Sequence, residues 1–139
     1  MKYEIEVRKS YLYVKVSGKI SLRSPSDWGE IQSALKNVVN SVKKSNILKI
    51  LVDCRDFSGK LSTIDRFLIA VFFVKENFRL VAGRLDPLKI TFVMNKSVID
   101  PKKFGETVAR NRGLDGLVTD NIDEALQWLE LDASFKEEL

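Results

Sequence analysis

The residues best suited to chemistry lie within one short stretch of the chain, residues 53–63. Its Ser62 stands three residues before Asp65, the spacing of a capping box, in which a hydroxyl accepts a backbone N–H at the start of a helix. The N-terminus of a helix also favours an anion, so the same hydroxyl suits phosphorylation or contact with a ligand. A candidate phosphoacceptor or ligand loop is therefore made of Asp53, Ser58, Gly59, Ser62 and Thr63.

Composition excludes several other kinds of chemistry. The chain has no histidine, which rules out a Ser-His-Asp triad, a Cys-His pair and any metal site built on histidine. Its single cysteine, Cys54, rules out a disulfide within the chain, and we expect it at the edge of the core. The carboxylates of Asp53, Asp56 and Asp65 lack the regular spacing of a metal-binding loop. We therefore expect no catalytic residue, no cofactor and no metal, and a protein that is not an enzyme.

Charge and hydropathy indicate the environment of the protein. Lys and Arg number 23 and Asp and Glu number 19, a net charge of +4, and the two signs are interleaved along the chain. Because this is a weak footprint for nucleic-acid binding, we expect no nucleic-acid partner. The longest apolar run, Phe67–Val74, is far shorter than the roughly 20 residues of a membrane-spanning helix, and the N-terminus lacks the apolar block of a signal peptide. The sequence predicts a cytoplasmic protein.

Hydrophobic periodicity predicts the elements that position these residues. Apolar and polar residues alternate over residues 3–7 and 12–16, and the short Lys9-Ser10 connection predicts an antiparallel hairpin. Ser24–Asp27 contains a cap, a proline and a carboxylate, which are the signals that begin a helix. Apolar residues then recur on one helical face as far as Val42.

The rest of the chain alternates buried strands with helices. Runs rich in β-branched residues predict central strands at Ile47–Val52 and Leu88–Met94, and a polar loop at Asp53–Lys60 follows the first of them. The other expected elements are a long apolar helix Leu61–Ala82, an interruption at Gly83–Pro87, a helix from Asp100-Pro101 to Arg112-Gly113, a strand Gly116–Thr119 and a last helix from Asp120 or Asn121.

This order of elements predicts an α/β fold. Residues 1–131 are expected to form one domain of order ββαβαβαβα. In it an N-terminal β-hairpin joins three βα units in a mixed sheet with a parallel core. Residues 132–139 are expected to be a frayed tail.

An apolar stripe on the long helix is a second candidate surface. On a helical wheel Ile69, Phe73 and Leu80 fall together, opposite a broader apolar face that suits the core. That broader face contains Ile64, Phe67, Leu68, Val71, Phe72, Val74 and Phe78. Three stacked apolar side chains are costly in water, so we expect the stripe to be an interface or the wall of a ligand site. A symmetric homodimer is the simplest use, and a protein partner, an apolar ligand or a bilayer surface are the alternatives. The purely structural alternative is that a neighbouring helix or the chain ends cover the stripe.

Two segments give the chain a resemblance to a known family. Leu51-Val52-Asp53 leads through a loop into a helix that opens Leu61-Ser62-Thr63, and this arrangement resembles the STAS domain of the anti-sigma-factor antagonists of the SpoIIAA type. The C-terminal residues are similar to a bacterial SpoIIAA-like subfamily in Phe104-Gly105-Glu106, Ala109-Arg110, Arg112-Gly113 and Asp123–Leu129. The resemblance covers roughly Met1 to Leu131.

The resemblance implies a mixed sheet backed by helices and a non-enzymatic role in protein recognition. In the antagonists of the family a partner kinase phosphorylates a serine at the start of the second helix, and Ser62 takes that place here, with Thr63 as the next hydroxyl. Leu61 stands where the family has an acidic residue, and Ile64 where it has a glycine. We therefore expect a small regulatory or protein-binding module. The alternative is a module of the same fold that binds a lipid-like apolar ligand or a membrane surface.

Overall fold

The order of strands and helices is the one that the sequence predicts. A computed structural model describes residues 1–20, 22, 24–81 and 88–139, with the backbone alone at residues 80 and 81. Its elements are β1 (Lys2–Val7), β2 (Leu12–Ile20), α1 (Pro25–Ser45), β3 (Lys49–Gly59), α2 (Thr63–Val81), β4 (Lys89–Met94), α3 (Phe104–Asn111), β5 (Asp115–Thr119), α4 (Ile122–Trp128) and a 3-10 helix (Ala133–Glu138). The predicted interruption at Gly83–Pro87 and the predicted helix end at Ala82 lie outside the described residues.

The described strands form one mixed sheet in the order β1-β2-β3-β4-β5. β1 and β2 pair antiparallel as a hairpin, and each later strand is parallel to the one before it. Parallel neighbours need a crossover connection, which α1, α2 and α3 supply in turn. The predicted mixed sheet with an N-terminal hairpin and three βα units is confirmed.

One face of the sheet is covered by the three crossover helices. Ile50 and Val52 of β3 and Ile90 of β4 point into this layer and are at most 6% exposed. They share one core with Val38, Val39 and Val42 of α1 and with Ala70, Phe73 and Val74 of α2. Because successive residues of a strand face opposite sides, the other face of these parallel strands needs a second layer.

That opposite face is covered by α4 and the C-terminal 3-10 helix. Tyr11, just before β2, and Leu51 of β3 are fully buried there in one cluster with Leu126 and Leu129. Tyr13, the second residue of β2, is only 4% exposed. The tyrosines that alternate with the aliphatic residues of this segment therefore belong to a second core.

Residues 132–139 correct the expectation of a frayed tail. Asp132 accepts the backbone N–H of Ser134 and begins the 3-10 helix. Phe135 in that helix meets the ring of Tyr11 edge-on, with the ring centroids 5.6 Å apart. The physical cause is the parallel sheet, whose second face needs more apolar cover than the short helix α4 provides.

β3 is longer than the sequence predicts. Its pairing with β2 continues to Ile20 and Gly59, so most of the stretch Asp53–Lys60, expected to be a polar loop, is strand. A register shift between Lys15 and Ser17 gives β3 one extra residue at this point, a bulge that re-aims its polar side chains. A side chain on Gly59, whose φ is +142°, would collide with the Ile20 carbonyl oxygen, so the two strands meet this closely only with glycine at that position.

α2 is rotated about its axis relative to the prediction. Phe73 is 3% exposed and belongs to the core, and Ile69 is half-buried, so the prediction of an exposed stripe at these residues is wrong. The side chain of Leu80, the third member, lies outside the described part of the chain. The reason is that α2 is apolar around most of its circumference, so packing against its neighbours α1 and α3 sets its orientation.

The exposed apolar residues of α2 are ones that the wheel assigned to the core. Ile64, Leu68 and Phe78 are 70%, 44% and 55% exposed, and we call these three residues the outer face of α2. Among the helices that the structure describes, neither α2 nor any other combines the length and apolarity that crossing a bilayer requires.

α3 begins later than the Asp100-Pro101 signal predicts. The Asp100 carboxylate accepts the backbone N–H groups of Lys102 and Phe104, which caps a separate turn ahead of the helix. Lys103 then adopts a left-handed conformation with φ of +48°, and the regular helix starts at Phe104.

Val52→Asp tests this topology. The substitution places a carboxylate in the first core at a position that is 6% exposed, and burying an unpaired charge costs several kcal/mol, comparable with the whole stability of a small domain. We expect no soluble folded protein on expression. Val7→Asp, the same change at a position on β1 that is 61% exposed, is the control and should express and melt like the wild type. A soluble Val52→Asp protein with an unchanged Tm would overturn the placement of β3 at the centre of the sheet.

Candidate functional site

The capping box predicted at Ser62 is present at the start of α2. The backbone N–H of Ser62 donates to Asp65 Oδ2 at 2.8 Å, and the backbone N–H of Asp65 donates to Ser62 Oγ at 3.1 Å. Such a cap contributes about 1 kcal/mol. Ser62 and Thr63 are both exposed, so their hydroxyls are open to a modifying enzyme or a partner as well as serving the helix.

Ser58 and Gly59, two further members of the predicted loop, line a cleft at the carboxyl ends of three parallel strands. The cleft encloses about 850 Å³ and is lined by residues 19 and 20 of β2, residues 57–60 at the end of β3, and residues 95, 97 and 98 of the β4–α3 connection; we call it the strand-end cleft. The side-chain amide of Asn95 donates to the carbonyl oxygen of Arg55 at 2.8 Å, which ties that connection to β3.

Asp53 does not join these residues. Asp53 is 4% exposed and lies on the face of the sheet that carries the second core, where the Tyr13 hydroxyl donates to its Oδ2 at 2.7 Å. The Arg55 guanidinium adds a two-pronged contact, with Nε donating to Oδ1 and Nη2 to Oδ2, both at 2.9 Å. The carboxylate is thus fully engaged within the fold, and the predicted place of Asp53 in a ligand loop is corrected to a structural role.

The electrostatics of this cluster follow from its contacts. Burial opposes the ionisation of Asp53, but the hydrogen bonds from Arg55 and Tyr13 outweigh it and hold the pKa of the carboxyl below its ordinary value. Burial together with the hydrogen bond to this carboxylate raises the pKa of Tyr13, so its hydroxyl remains a donor. The guanidinium of Arg8 lies over the Tyr13 ring, 4.4 Å from its centroid, and covers the cluster from the hairpin side.

Cys54 is placed where the sequence predicts, in the first core. It is 6% exposed, and burial, with a smaller effect of the nearby Asp53 charge, raises its pKa to about 12. A thiol with this pKa is protonated at neutral pH and is a poor nucleophile. Within the described residues, no three His, Cys, Asp or Glu side chains are grouped so that they could hold a metal ion.

The outer face of α2 adjoins the capping box. Ile64 is the second residue of α2 and Leu68 lies one turn further along. Phe104 of α3 is 36% exposed beside this face, and its ring lies 6.4 Å from that of Phe67. Periodicity alone could not have identified this surface, because its residues have the same spacing as those that pack inward.

Two apolar cavities lie beneath α2. One, of about 120 Å³, is bounded by α2, α3 and the sheet, and the other, of about 140 Å³, by α1, α2 and the sheet. The two cavities adjoin, because Ile69 and Phe73 line both of them, as do Leu35, Leu61, Ile90, Phe92 and Met94. Each cavity is close to the ~150 Å³ that accommodates a benzene molecule.

Asp53→Asn should make the stability of the folded protein less dependent on pH in the acidic range. Because the folded pKa of Asp53 lies below its ordinary value of 3.8, the ionised form adds stability above that value, and this stability is lost as the pH falls through the folded pKa. Thermal unfolding should therefore show wild type melting well above Asp53→Asn at about pH 7, with a smaller gap at about pH 2.5. Asp56→Asn, at an exposed position on the same strand, is the control and should change Tm little at either pH. A gap of equal size at both pH values would contradict the stabilising role of the Asp53 charge.

Comparison with known proteins agrees with the architecture. The solved structure of an anti-sigma factor antagonist from Mycobacterium paratuberculosis matches with a TM-score of 0.53 at 12% sequence identity, over 93% of this chain and 93% of that chain. No family model matches the sequence, and no curated protein matches it. At this level of identity the likeness is one of fold. The chain has the mixed α/β fold of the STAS type found in an anti-sigma factor antagonist.

Proposed function

We propose that this chain is a small, non-enzymatic regulatory module that binds a protein partner through the start and the outer face of α2. The observation that carries the proposal is the exposure of Ile64 and Leu68, at 70% and 44%, directly beside the exposed hydroxyls of Ser62 and Thr63. An apolar patch next to polar groups at a helix start is typical of a surface that another protein covers.

The energetics favour a covered surface. Burying a large apolar side chain is worth about 1.5–3 kcal/mol, so Ile64, Leu68 and Phe78 together leave several kcal/mol available for association. Scattered apolar residues on a surface need no explanation, but Ile64 and Leu68 lie one turn apart on one helix. The solved structure with the same fold is an antagonist of an anti-sigma factor, a protein that acts on another protein, which supports the same class of role here.

Ser62 is the residue at which we propose that binding is regulated. Its hydroxyl oxygen is engaged by the Asp65 N–H, and the Asp65 carboxylate in turn holds the Ser62 N–H. A phosphate on Ser62 would be attracted by the N-terminus of α2 but repelled by Asp65, so it would break the reciprocal cap and alter the first turn that carries Ile64. Modification at one residue would thus change both the charge and the shape of the proposed surface.

The alternative, a lipid-like ligand or a membrane surface, is less well supported. The two adjoining cavities beneath α2 measure about 120 and 140 Å³, which even together stay below the roughly 300–1,000 Å³ of usual small-molecule sites. The exposed outer face offers a contact for a protein without any rearrangement of the core. The cytoplasmic location expected from the sequence stays a prediction.

Ser62→Asp tests the regulatory residue. Asp caps a helix nearly as well as Ser, so Tm should stay close to that of the wild type. The variant therefore isolates the effect of added charge from the loss of the cap that a phosphate would cause, and this charge should weaken partner binding. Proteins captured from a lysate by immobilised wild type and variant, quantified by mass spectrometry, give the comparison. The control Ser10→Asp adds the same charge at an exposed turn just before β2. It should leave capture unchanged. Equal capture by wild type and Ser62→Asp would show that Ser62 does not regulate binding. It would not contradict the outer face of α2 as the binding surface.

The double variant Ile64→Glu, Leu68→Glu tests the outer face itself. Both positions are exposed, so the fold and Tm should be retained while capture of the partner falls to background. If the partner is a second copy of the chain, light scattering should show a dimer for wild type and a monomer for the variant. Val7→Glu, which also adds charge at an exposed apolar position, is the control and should behave as wild type. Unchanged capture and unchanged mass in the double variant would contradict the proposed surface.

A further inference from the structure

The outer edge of β5 is one of the two open edges of the described sheet. Among the described strands β5 pairs with β4 alone, so every second residue of β5 turns its backbone N–H and C=O groups outward. These outward residues are Gly116 and Val118, whose backbone groups contact side chains of α3. A row of unpaired backbone groups at a sheet edge is a template on which another strand can pair.

Two side chains of α3 occupy this edge. The Val118 N–H donates to Glu106 Oε2 at 2.8 Å, and Arg110 Nε donates to the Gly116 carbonyl oxygen at 2.8 Å. The two side chains also pair with each other, with Arg110 Nη2 3.4 Å from Glu106 Oε1. One residue of a sixth parallel strand would offer the same acceptor to residue 118 and the same donor to residue 116. Glu106 and Arg110, which we call the edge pair, therefore take the place of a strand.

The edge pair is held in position by both layers that cover the sheet. α3 belongs to the first core and α4 to the second, on opposite faces. The Arg110 guanidinium reaches from α3 across the edge of β5 and lies over the ring of Trp128 in α4, 5.1 Å from its centroid. The side chain of Glu106 is only 11% exposed, so its carboxylate has a fixed place beside the strand.

The two edge strands of the sheet are protected in different ways. β1, at the opposite edge, carries exposed charged side chains at Lys2, Glu4 and Glu6, which oppose pairing with a further strand. β5 contains neither lysine nor proline and has one charged residue, Asp115. The protection of β5 therefore comes from α3, through the edge pair.

We propose that the outer edge of β5 is a site for strand addition by a second copy of this chain, and that the edge pair keeps this site closed. Two β5 strands related by a two-fold axis at Leu117 would run antiparallel, with Gly116 of each copy opposite Val118 of the other. Their outward N–H and C=O groups would then pair, and Gly116 leaves room for the opposite side chain. Asp115 would lie opposite Thr119, so no like charges would meet.

The test removes the edge pair with the double variant Glu106→Ala, Arg110→Ala. The parent protein for this test carries Ile64→Glu and Leu68→Glu, so that association through the outer face of α2 cannot contribute. Light scattering over a range of concentrations should show that the parent is a monomer. Removal of the edge pair should raise the mass toward twice that value as the concentration increases.

Hydrogen exchange at the Val118 amide locates the contact. In a dilute solution of the double variant this amide should exchange at least about tenfold faster than in the parent, because it loses a hydrogen bond to a charged group. At high concentration the exchange should slow again, since the second copy then accepts the bond. In the parent the exchange rate should not depend on concentration, because the acceptor Glu106 belongs to the same chain.

Two further variants control the experiment. Asp123→Ala, Lys136→Ala removes one charge of each sign from an exposed ion pair away from β5, and the protein should remain a monomer. If Glu106→Ala, Arg110→Ala does not fold, Glu106→Leu, Arg110→Met replaces it. Leu and Met keep the helix propensity and the packed stems of the edge pair but remove both of its polar groups.

Four results would overturn the proposal. A folded variant that stays monomeric at millimolar concentration would show that the open edge does not accept a second copy. A doubled mass with fast Val118 exchange at every concentration would place the contact elsewhere. Equal association of the Asp123→Ala, Lys136→Ala control would assign the effect to lost surface charge. Concentration-dependent exchange in the parent would show that the edge pair does not close the site. None of these results bears on the outer face of α2, which partner capture tests separately.

Discussion

The constraint on which the rest of this structure depends is that a parallel sheet must be covered on both faces. β2 to β5 run parallel and contribute apolar side chains to both sides, so neither face can meet water. The three crossover helices cover one face, and α4 with the 3-10 helix covers the other. The last residues of the chain therefore pack against the second core through Phe135 and Leu139, which stay partly exposed. Polar groups with freedom to act are confined to the ends of the strands and the outer sides of the helices.

The same constraint divides the chemistry of residues 53–63 among three separate roles. Asp53 lies where β3 is still covered on its second face, so its carboxylate must be paired internally, with Tyr13 and Arg55. After the bulge, Ser58 and Gly59 reach the strand end and line the cleft. Ser62 begins the next helix and is exposed. Residues that are close in sequence thus serve core stability, the lining of the strand-end cleft and helix capping.

Sequence alone predicts the parts of this fold that follow from local pattern. The apolar, β-branched runs around Ile50 and Ile90 identify the central strands, and the Ser62–Asp65 spacing identifies the helix cap, because both signals lie within a few residues. The end of β3 is missed because its polar residues resemble a loop, and its pairing with β2 cannot be seen locally. The tail is missed for a related reason, since Phe135 packs on Tyr11, which lies at the other end of the chain.

α2 combines the features that sequence patterns resolve least well. An element that is apolar around its circumference has no intrinsic inner face, so neighbours fix its rotation, and here they place Phe73 inside and Leu68 outside. That orientation leaves two adjoining apolar cavities of about 120 and 140 Å³ beneath the helix. It also leaves apolar surface exposed on the opposite side. α2 is thus underpacked below and uncovered above, and a partner that covers the outer face would supply apolar contacts that the core does not. This incomplete packing is the physical basis of our proposal that α2 is the element that binds a partner.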